Sequence, residues 1–207
     1  MPQPLSQTEA RILGVLIEKA KTTPDAYPLT VNSLTAGCNQ KTSREPVMSV
    51  TESEVQGALE ELRGRTLIME SYGASGRVLR YAHNFAKVYD VPSAGMDLLA
   101  VLMLRGPQTA SELRANCERL HRFADASTVE AYLEELADRA SGAMVLKLPR
   151  QPGAREQRWT HLLCGEPVLE SSSHTNIAPS SALEARVEQL EQDVADLRAT
   201  LALLVGE

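Results

Sequence analysis

Aromatic side chains are scarce in this sequence: two Phe, one Trp and five Tyr make 4% of 207 residues. With so few, Trp159 and Tyr81 read as core packing rather than as a platform on which bases stack. Cysteine is scarcer still. Cys38, Cys117 and Cys164 form no C-x-x-C pair, and with four scattered histidines they give no zinc-finger spacing. That argues against a disulfide scaffold and against a structural metal, and no metal or other cofactor is expected. Long apolar runs are missing as well. The longest, Leu98 to Leu104, falls far short of the ~20 residues that cross a bilayer. Glu9, Arg11, Glu18 and Lys19 interrupt the first apolar stretch, where an export signal has an uncharged segment. The chain is expected to be soluble and cytoplasmic, without a membrane partner.

Nor is there an excess of positive charge of the kind that draws nucleic acid, since the net charge is -6. Its distribution removes much of that objection. Residues 1–90 hold 10 Lys+Arg against 10 Asp+Glu, residues 91–165 hold 9 against 9, and residues 166–207 hold 2 against 8. The negative excess lies in the tail, so the overall balance says little about the rest.

Catalytic signatures are absent too. Gly73-x-x-Gly76 is followed by neither G-K-[ST] nor a fifth-position glycine and reads as a hairpin turn. Glu60-Glu61 and Glu134-Glu135 are neighbours on helices, pointing roughly 100° apart, and do not converge on a substrate. His83 and His161 lack a ligand set and read as residues of a hairpin base, and Cys38 and Cys117 read as small core residues. A non-enzymatic protein is expected.

What the sequence does have is a repeat. Ser53-x-Val55-x-x-x-Leu59-Glu60-Glu61-Leu62 returns 74 residues later as Ser127-x-Val129-x-x-x-Leu133-Glu134-Glu135-Leu136. Thr30, Leu34 and Cys38 match Thr109, Leu113 and Cys117. Ile12-Leu13-Gly14-Val15-Leu16 is echoed by Leu98-Leu99-Ala100-Val101-Leu102, and Arg80-Tyr81-Ala82-His83 by Arg158-Trp159-Thr160-His161. Four segments recur in one order with unequal loops, as duplicated domains do.

Caps and periods give each segment a local structure. Ser6-x-x-Glu9 is a capping box, and Ile12, Leu13, Leu16, Ile17 and Ala20 then form an apolar stripe, predicting a first helix. Thr30 caps a short second helix through about Cys38, a turn spans Asn39 to Pro46, and Thr51-x-x-Glu54 opens a third helix that buries Val55, Ala58, Leu59 and Leu62. Strand-like runs Leu67 to Ser71 and Val78 to His83 flank the glycine-rich turn. The second copy is predicted as a helix over about Met96 to Arg105, helices from Thr109-x-x-Glu112 and Ser127-x-x-Glu130, and a hairpin from Met144 to Leu163.

Three helices and a hairpin in this order predict a mainly α, α+β protein of tandem winged helix-turn-helix domains, over residues 1–90 and 91–165. A Ser- and Pro-rich linker, 166–181, follows. Ser181-x-x-Glu184 then caps a helix over 182–207 in which Leu183, Val187, Leu190, Val194, Leu197, Leu201 and Leu204 make a heptad seam. Such a coiled-coil stripe is predicted to pair with a second copy, giving a homo-oligomer; docking back on its own domains is the alternative.

Three stretches carry a resemblance: Cys38-Asn39-Gln40-Lys41-Thr42-Ser43-Arg44-Glu45-Pro46-Val47-Met48, Leu5-Ser6-Gln7-Thr8-Glu9-Ala10-Arg11 and Leu29-Thr30-Val31-Asn32-Ser33-Leu34. With them the chain resembles the YceH-like family of uncharacterised bacterial proteins over nearly its whole length, the Cys-Asn-Gln-Lys segment being the most specific part. The resemblance implies a tandem winged-helix fold and a bacterial cytoplasmic setting. It carries over no catalytic or binding residue.

A winged helix reads DNA with its third helix and its wing. The outward face of the first such helix is Ser53, Gln56, Glu60 and Arg63, of which Gln56 and Arg63 suit base edges. The second presents Ser127, Glu130, Glu134 and Ala137, whose carboxylates repel phosphates. Basic residues lie beside these helices: Lys41 and Arg44 in the first turn, Arg77 and Arg80 in the first wing, and Arg150, Arg155 and Arg158 in the second. Two readings stand. One is a dimeric regulator binding double-stranded DNA through the first domain and both wings, with the tail setting the spacing of two copies. The other is an interaction module that docks a protein partner on the acidic second winged helix.

Overall fold

The computed structural model of the chain describes residues 3–72, 76–167, 189 and 191–193. Met1–Pro167 form one compact unit and Val168–Glu207 a second. The heptad positions from Leu183 to Leu204, nearly all of the expected linker and the turn residues 73–75 lie outside the described residues.

The first half of the compact unit runs α1 (Gln7–Thr22), a 3-10 turn (Pro24–Ala26), α2 (Val31–Cys38), α3 (Glu52–Gly64), β1 (Ile68–Tyr72), β2 (Leu79–His83) and α4 (Phe85–Tyr89). The second half runs α5 (Ser93–Arg105), α6 (Ala110–Cys117), α7 (Ala126–Ala137), β3 (Val145–Lys147) and β4 (Trp159–His161). The described chain is thus α+β, mainly helical, with two antiparallel hairpins.

Start signals do what their chemistry dictates. Ser6, Thr51 and Thr109 each accept the backbone N–H of the glutamate three residues on, and each glutamate reaches back to the cap. The second half departs from expectation at two starts. Helix α7 is capped by Asp125, not Ser127: its carboxylate takes the Thr128 N–H at 2.7 Å and the hydroxyls of Ser127 and Thr128 at 2.8 Å. These bonds, the backbone one foremost, hold the carboxyl down at about 2. Helix α5 begins three residues before the expected start at Met96, at Ser93 after Pro92. The short α4 is too brief to give a periodic signal in the sequence.

Each hairpin gains a third, one-residue strand from the segment between the first two helices of its half. Leu29 bridges Tyr81 in the first half and Gln108 bridges Trp159 in the second, so a repeat seen in sequence holds at single backbone bonds.

The two halves share one core. Helix α1 is buried from Glu9 to Ile17 and α5 from Ala94 to Leu104, all round rather than on one stripe, because each helix faces its own half and its counterpart in the other. The two run antiparallel: Gly14 lies against Leu104 and Ala100, while Lys21, a turn and more along α1, reaches Ser93 and Asp97, further back along α5. Gly14 and Ala100 hold the same place in the repeat, so equivalent helices cross near equivalent residues.

The connections obey the same exchange. Glu45, in the turn after α2, donates its N–H to Leu104 O at the end of α5 (2.8 Å), and Arg105 donates to Ser43 Oγ (2.8 Å). In the other direction Lys21, at the end of α1, donates to Leu120 O in the turn after α6 (3.3 Å). Each half's turn therefore closes on the other half's first helix. The buried leucines of the two helices, Leu13, Leu16, Leu98, Leu99 and Leu102 among them, contribute roughly 1.5–3 kcal/mol per side chain to the core that the halves share.

Candidate nucleic-acid interface

In the second half, β3 pairs with β4 so that Lys147 stands opposite Trp159. The Lys147 ammonium lies 5.2 Å from the Trp159 ring centroid and donates to Glu130 of α7. Trp159 Nε1 points at the other oxygen of the same carboxylate, at 3.4 Å. Glu130, which by sequence faces phosphates as a repulsive charge, is instead neutralised within its own half and ties the hairpin to α7.

Around this tie the first turns of α6 and α7 and the segment joining β3 to β4 enclose a groove of about 370 Å³, lined by Ser111, Ser127, Lys147, Arg150, Arg155 and Gln157 among others. Arg150 and Arg155 are exposed. Exposed Glu156 lines the same groove and lies 3.4 Å from Ser111 Oγ, and Glu112 and Asp125 already occupy the starts of α6 and α7, so what the concavity offers an anion is the two exposed guanidinium groups of Arg150 and Arg155.

Arg158 works differently. It donates to Pro107 O at 2.7 Å and to Glu112 of α6 at 3.0 Å. Its repeat partner Arg80 donates to Pro28 O at 2.8 Å. Both arginines clamp the hairpin to the one-residue strand that follows the proline. The recurrence of a hairpin arginine in both halves thus has a structural cause.

In the first half, Gln56, Glu60 and Arg63 lie exposed along α3. Arg63 is 59% exposed at its side chain and meets Glu70 of β1 only at 3.5 Å. Arg77 and Lys41 are also exposed. Arg44 is corrected from a phosphate contact to a buried structural cation. It is 4% exposed, donates from Nε to Gly37 O at 3.1 Å, and pairs with both oxygens of Glu18 at 2.7 and 3.2 Å. A guanidinium so buried and so committed is not presented to a ligand.

A family described as "Protein of unknown function, DUF480" matches residues 5–154. The chain belongs to that family. DUF480 relatives include a UPF0502 protein of Dechloromonas aromatica, 56% identical across 95% of this chain and 94% of its own length, and one of Acidovorax sp., 54% identical across 98% and 93%. A third, from Leptothrix cholodnii, is 52% identical across the whole chain and 96% of its own length. The match agrees with the YceH-like resemblance, and its span takes in both halves up to the second hairpin.

Within this DUF480 chain the equivalent histidines and cysteines are structural. Burial lowers the His161 imidazole to about 4 and also lowers His83, with Lys21 adding to the effect there. Neither Nδ1 finds a hydrogen-bond partner among the described residues. Burial pushes the Cys38 thiol up to about 11 and that of Cys117 to about 12, far from a reactive thiolate. Lys147 and Ser111 were missed by sequence reasoning. Their place in the groove depends on strand register and on how α6 meets the hairpin, which no local pattern announces; only the Lys147 position, across the strand from a repeat tryptophan, carried a trace of signal.

Proposed function

We propose that the chain is a non-enzymatic, tandem winged-helix protein that binds double-stranded DNA. The observation that carries the reading is the second-half groove: Arg150 and Arg155 stand exposed beside the first turns of α6 and α7, and of the two carboxylates that line it with them, Glu130 and Glu156, the first is already matched by Lys147. In a winged helix this concavity between the third helix and the wing is where a duplex lies. The α3 face with Gln56 and Arg63 supplies the corresponding surface of the first half. The heptad seam of the tail pairs two such chains, so that the working unit is a dimer.

The test is a titration of duplex DNA against salt. Affinity that falls steeply between 50 and 200 mM salt, on the order of a hundredfold or more for several phosphate contacts, is expected. Absence of salt-sensitive binding to any duplex at low ionic strength would end this reading.

A second reading has its own observation. Met69, Tyr72 and Val78 of the first hairpin are 52%, 70% and 49% exposed, and Glu134, Glu135 and Asp138 are exposed on and just beyond α7. Such surfaces suit a protein partner. Capture of one partner that survives nuclease and needs Tyr72 would favour this reading over DNA.

A further inference from the structure

The two halves present different chemistry at equivalent places. On α7 the repeat equivalents of Gln56, Glu60 and Arg63 are Glu130, Glu134 and Ala137. Glu130 is held by Lys147 and Trp159, and the hydroxyls of Ser127 and Thr128, nearer the start of that helix, are spent on the Asp125 cap. Glu134 and Glu135 are the exposed charged side chains left on α7, and both are carboxylates, ill suited to a helix that lies against phosphates. What the second half does offer is Arg150 and Arg155, on an irregular segment, which suit phosphates.

The first half has the opposite character. Gln56, Glu60 and Arg63 are exposed on one face of a regular helix. Gln pairs bidentately with adenine, Arg with guanine, and a carboxylate accepts from the cytosine amino group. Seven residues of helix rise roughly 10 Å, close to three base steps of about 3.4 Å. Glu60, awkward as a neighbour of phosphates, fits as a reader of bases between the other two.

Resting on the DNA-binding reading above, we propose that the halves divide the work: Arg150 and Arg155 anchor the second half on the phosphate backbone without regard to sequence, and Gln56, Glu60 and Arg63 of α3 discriminate bases. Because α1 and α5 cross in a single core, with each turn closed on the other half's helix, anchoring one half fixes where the other's reading helix lands. The preferred site is a core of about three base pairs, flanked on one side by duplex of any sequence that is bound as strongly as it is screened.

The experiment uses the full-length protein and a pool of random duplexes, followed by affinity measurements on the selected and a scrambled duplex over a range of salt. Two variants with exposed substitutions are compared with wild type. Gln56→Ala/Arg63→Lys keeps the charge and removes the bidentate fork; it is expected to lose the preference, by about tenfold or more, with the salt dependence unchanged. Arg150→Ala/Arg155→Ala is expected to weaken both duplexes equally and to lower the slope of log affinity against log salt by about two.

Survival of the preference in the first variant, or a change of preference in the second, overturns the division of labour. So does wild-type binding that is salt-sensitive but indifferent to sequence, which leaves the DNA-binding reading standing alone. No duplex binding by wild type removes that reading and this inference together.

Discussion

Lys21, at the end of α1, donates to the fully buried carboxylate of Asp97 on α5, and in the same cluster reaches Ser93 Oγ at 3.0 Å. His121 Nδ1 lies 3.9 Å from the same Asp97 oxygen, while Asp97 Oδ1 has no partner among the described residues. Burial raises the Asp97 carboxyl even against the pull of Lys21 and His121. The pair is therefore a polar fastening across the apolar crossing of the two halves, and it is sensitive to loss of either member.

Lys21→Met leaves a buried carboxylate without its cation and is expected to cost about 3–5 kcal/mol at neutral pH, whereas Lys21→Met/Asp97→Leu recovers most of that loss. With the cation gone, the folded-state pKa of Asp97 rises further above its ordinary 3.8. Stability is then fully present below that value and lost as pH rises through the raised one. Urea denaturation from pH 4 to 7 should show the deficit of the single variant growing with pH; a deficit constant with pH would count against the assignment.

Arg44 and Glu18 give the reverse dependence. Burial pushes the Glu18 carboxyl up, but Arg44, by hydrogen bonding and by charge, and Lys19 outweigh it, and the net is a lowered pKa. The stability this carboxylate contributes is present above its ordinary 4.5 and lost as pH falls through the lowered value. Arg44→Met should cost about 3 kcal/mol near neutrality, with the cost shrinking below pH 4.5. If duplex binding by folded Arg44→Met protein fell as far as that of Arg150→Ala/Arg155→Ala, the structural role given to Arg44 would be wrong.

Two helix glycines should respond oppositely to alanine. A Cβ on Gly14 would stand 2.9 Å from Leu104 Cγ and 3.4 Å from Ala100 O, whereas one on Gly57 of α3 meets nothing within 4 Å. Gly57→Ala is expected to stabilise by about 0.5–1 kcal/mol through helix propensity. Gly14→Ala has the same propensity gain but crowds the crossing, which costs about 1–3 kcal/mol, and should be neutral to destabilising. Melting temperatures of the two variants decide it, and equal upward shifts would show that the helices have room to spare.

His161 provides a signature in acid. Its ring, held near 4 by burial against an ordinary 6.5, contributes stability that is present above pH 6.5 and lost as pH falls through about 4. The loss is on the order of 3 kcal/mol. His161→Gln should flatten that part of the pH profile, leaving the share due to His83. An unchanged profile would mean that the imidazole is not desolvated in the folded protein.

Much of the fold was legible because it is dictated locally. Capping boxes at Ser6, Thr51 and Thr109, the apolar spacing of α3 and the two strand-like runs around the first turn each depend on residues within a helical turn or a hairpin, and the structure repeats them. The candidate bases-facing residues Gln56 and Arg63 were legible for the same reason, since the buried side of a helix defines its exposed side. The sequence by itself thus determined the order of all these elements but the short α4, the caps of α1, α2, α3 and α6, and the recurrence of its segments.

Tertiary structure decided what two distant segments do to each other. Arg44 looks like a turn cation until α1 brings Glu18 to it, and Glu130 looks repulsive until hairpin register places Lys147 and Trp159 upon it. Arg80 and Arg158 look like binding residues until the Pro28 and Pro107 carbonyls arrive. The crossing of α1 and α5, and hence one shared core, rests on the all-round burial of two helices, which a periodic stripe cannot announce. Charge and exposure are properties of neighbours, and the neighbours of these residues lie 17 to 52 positions away along the chain.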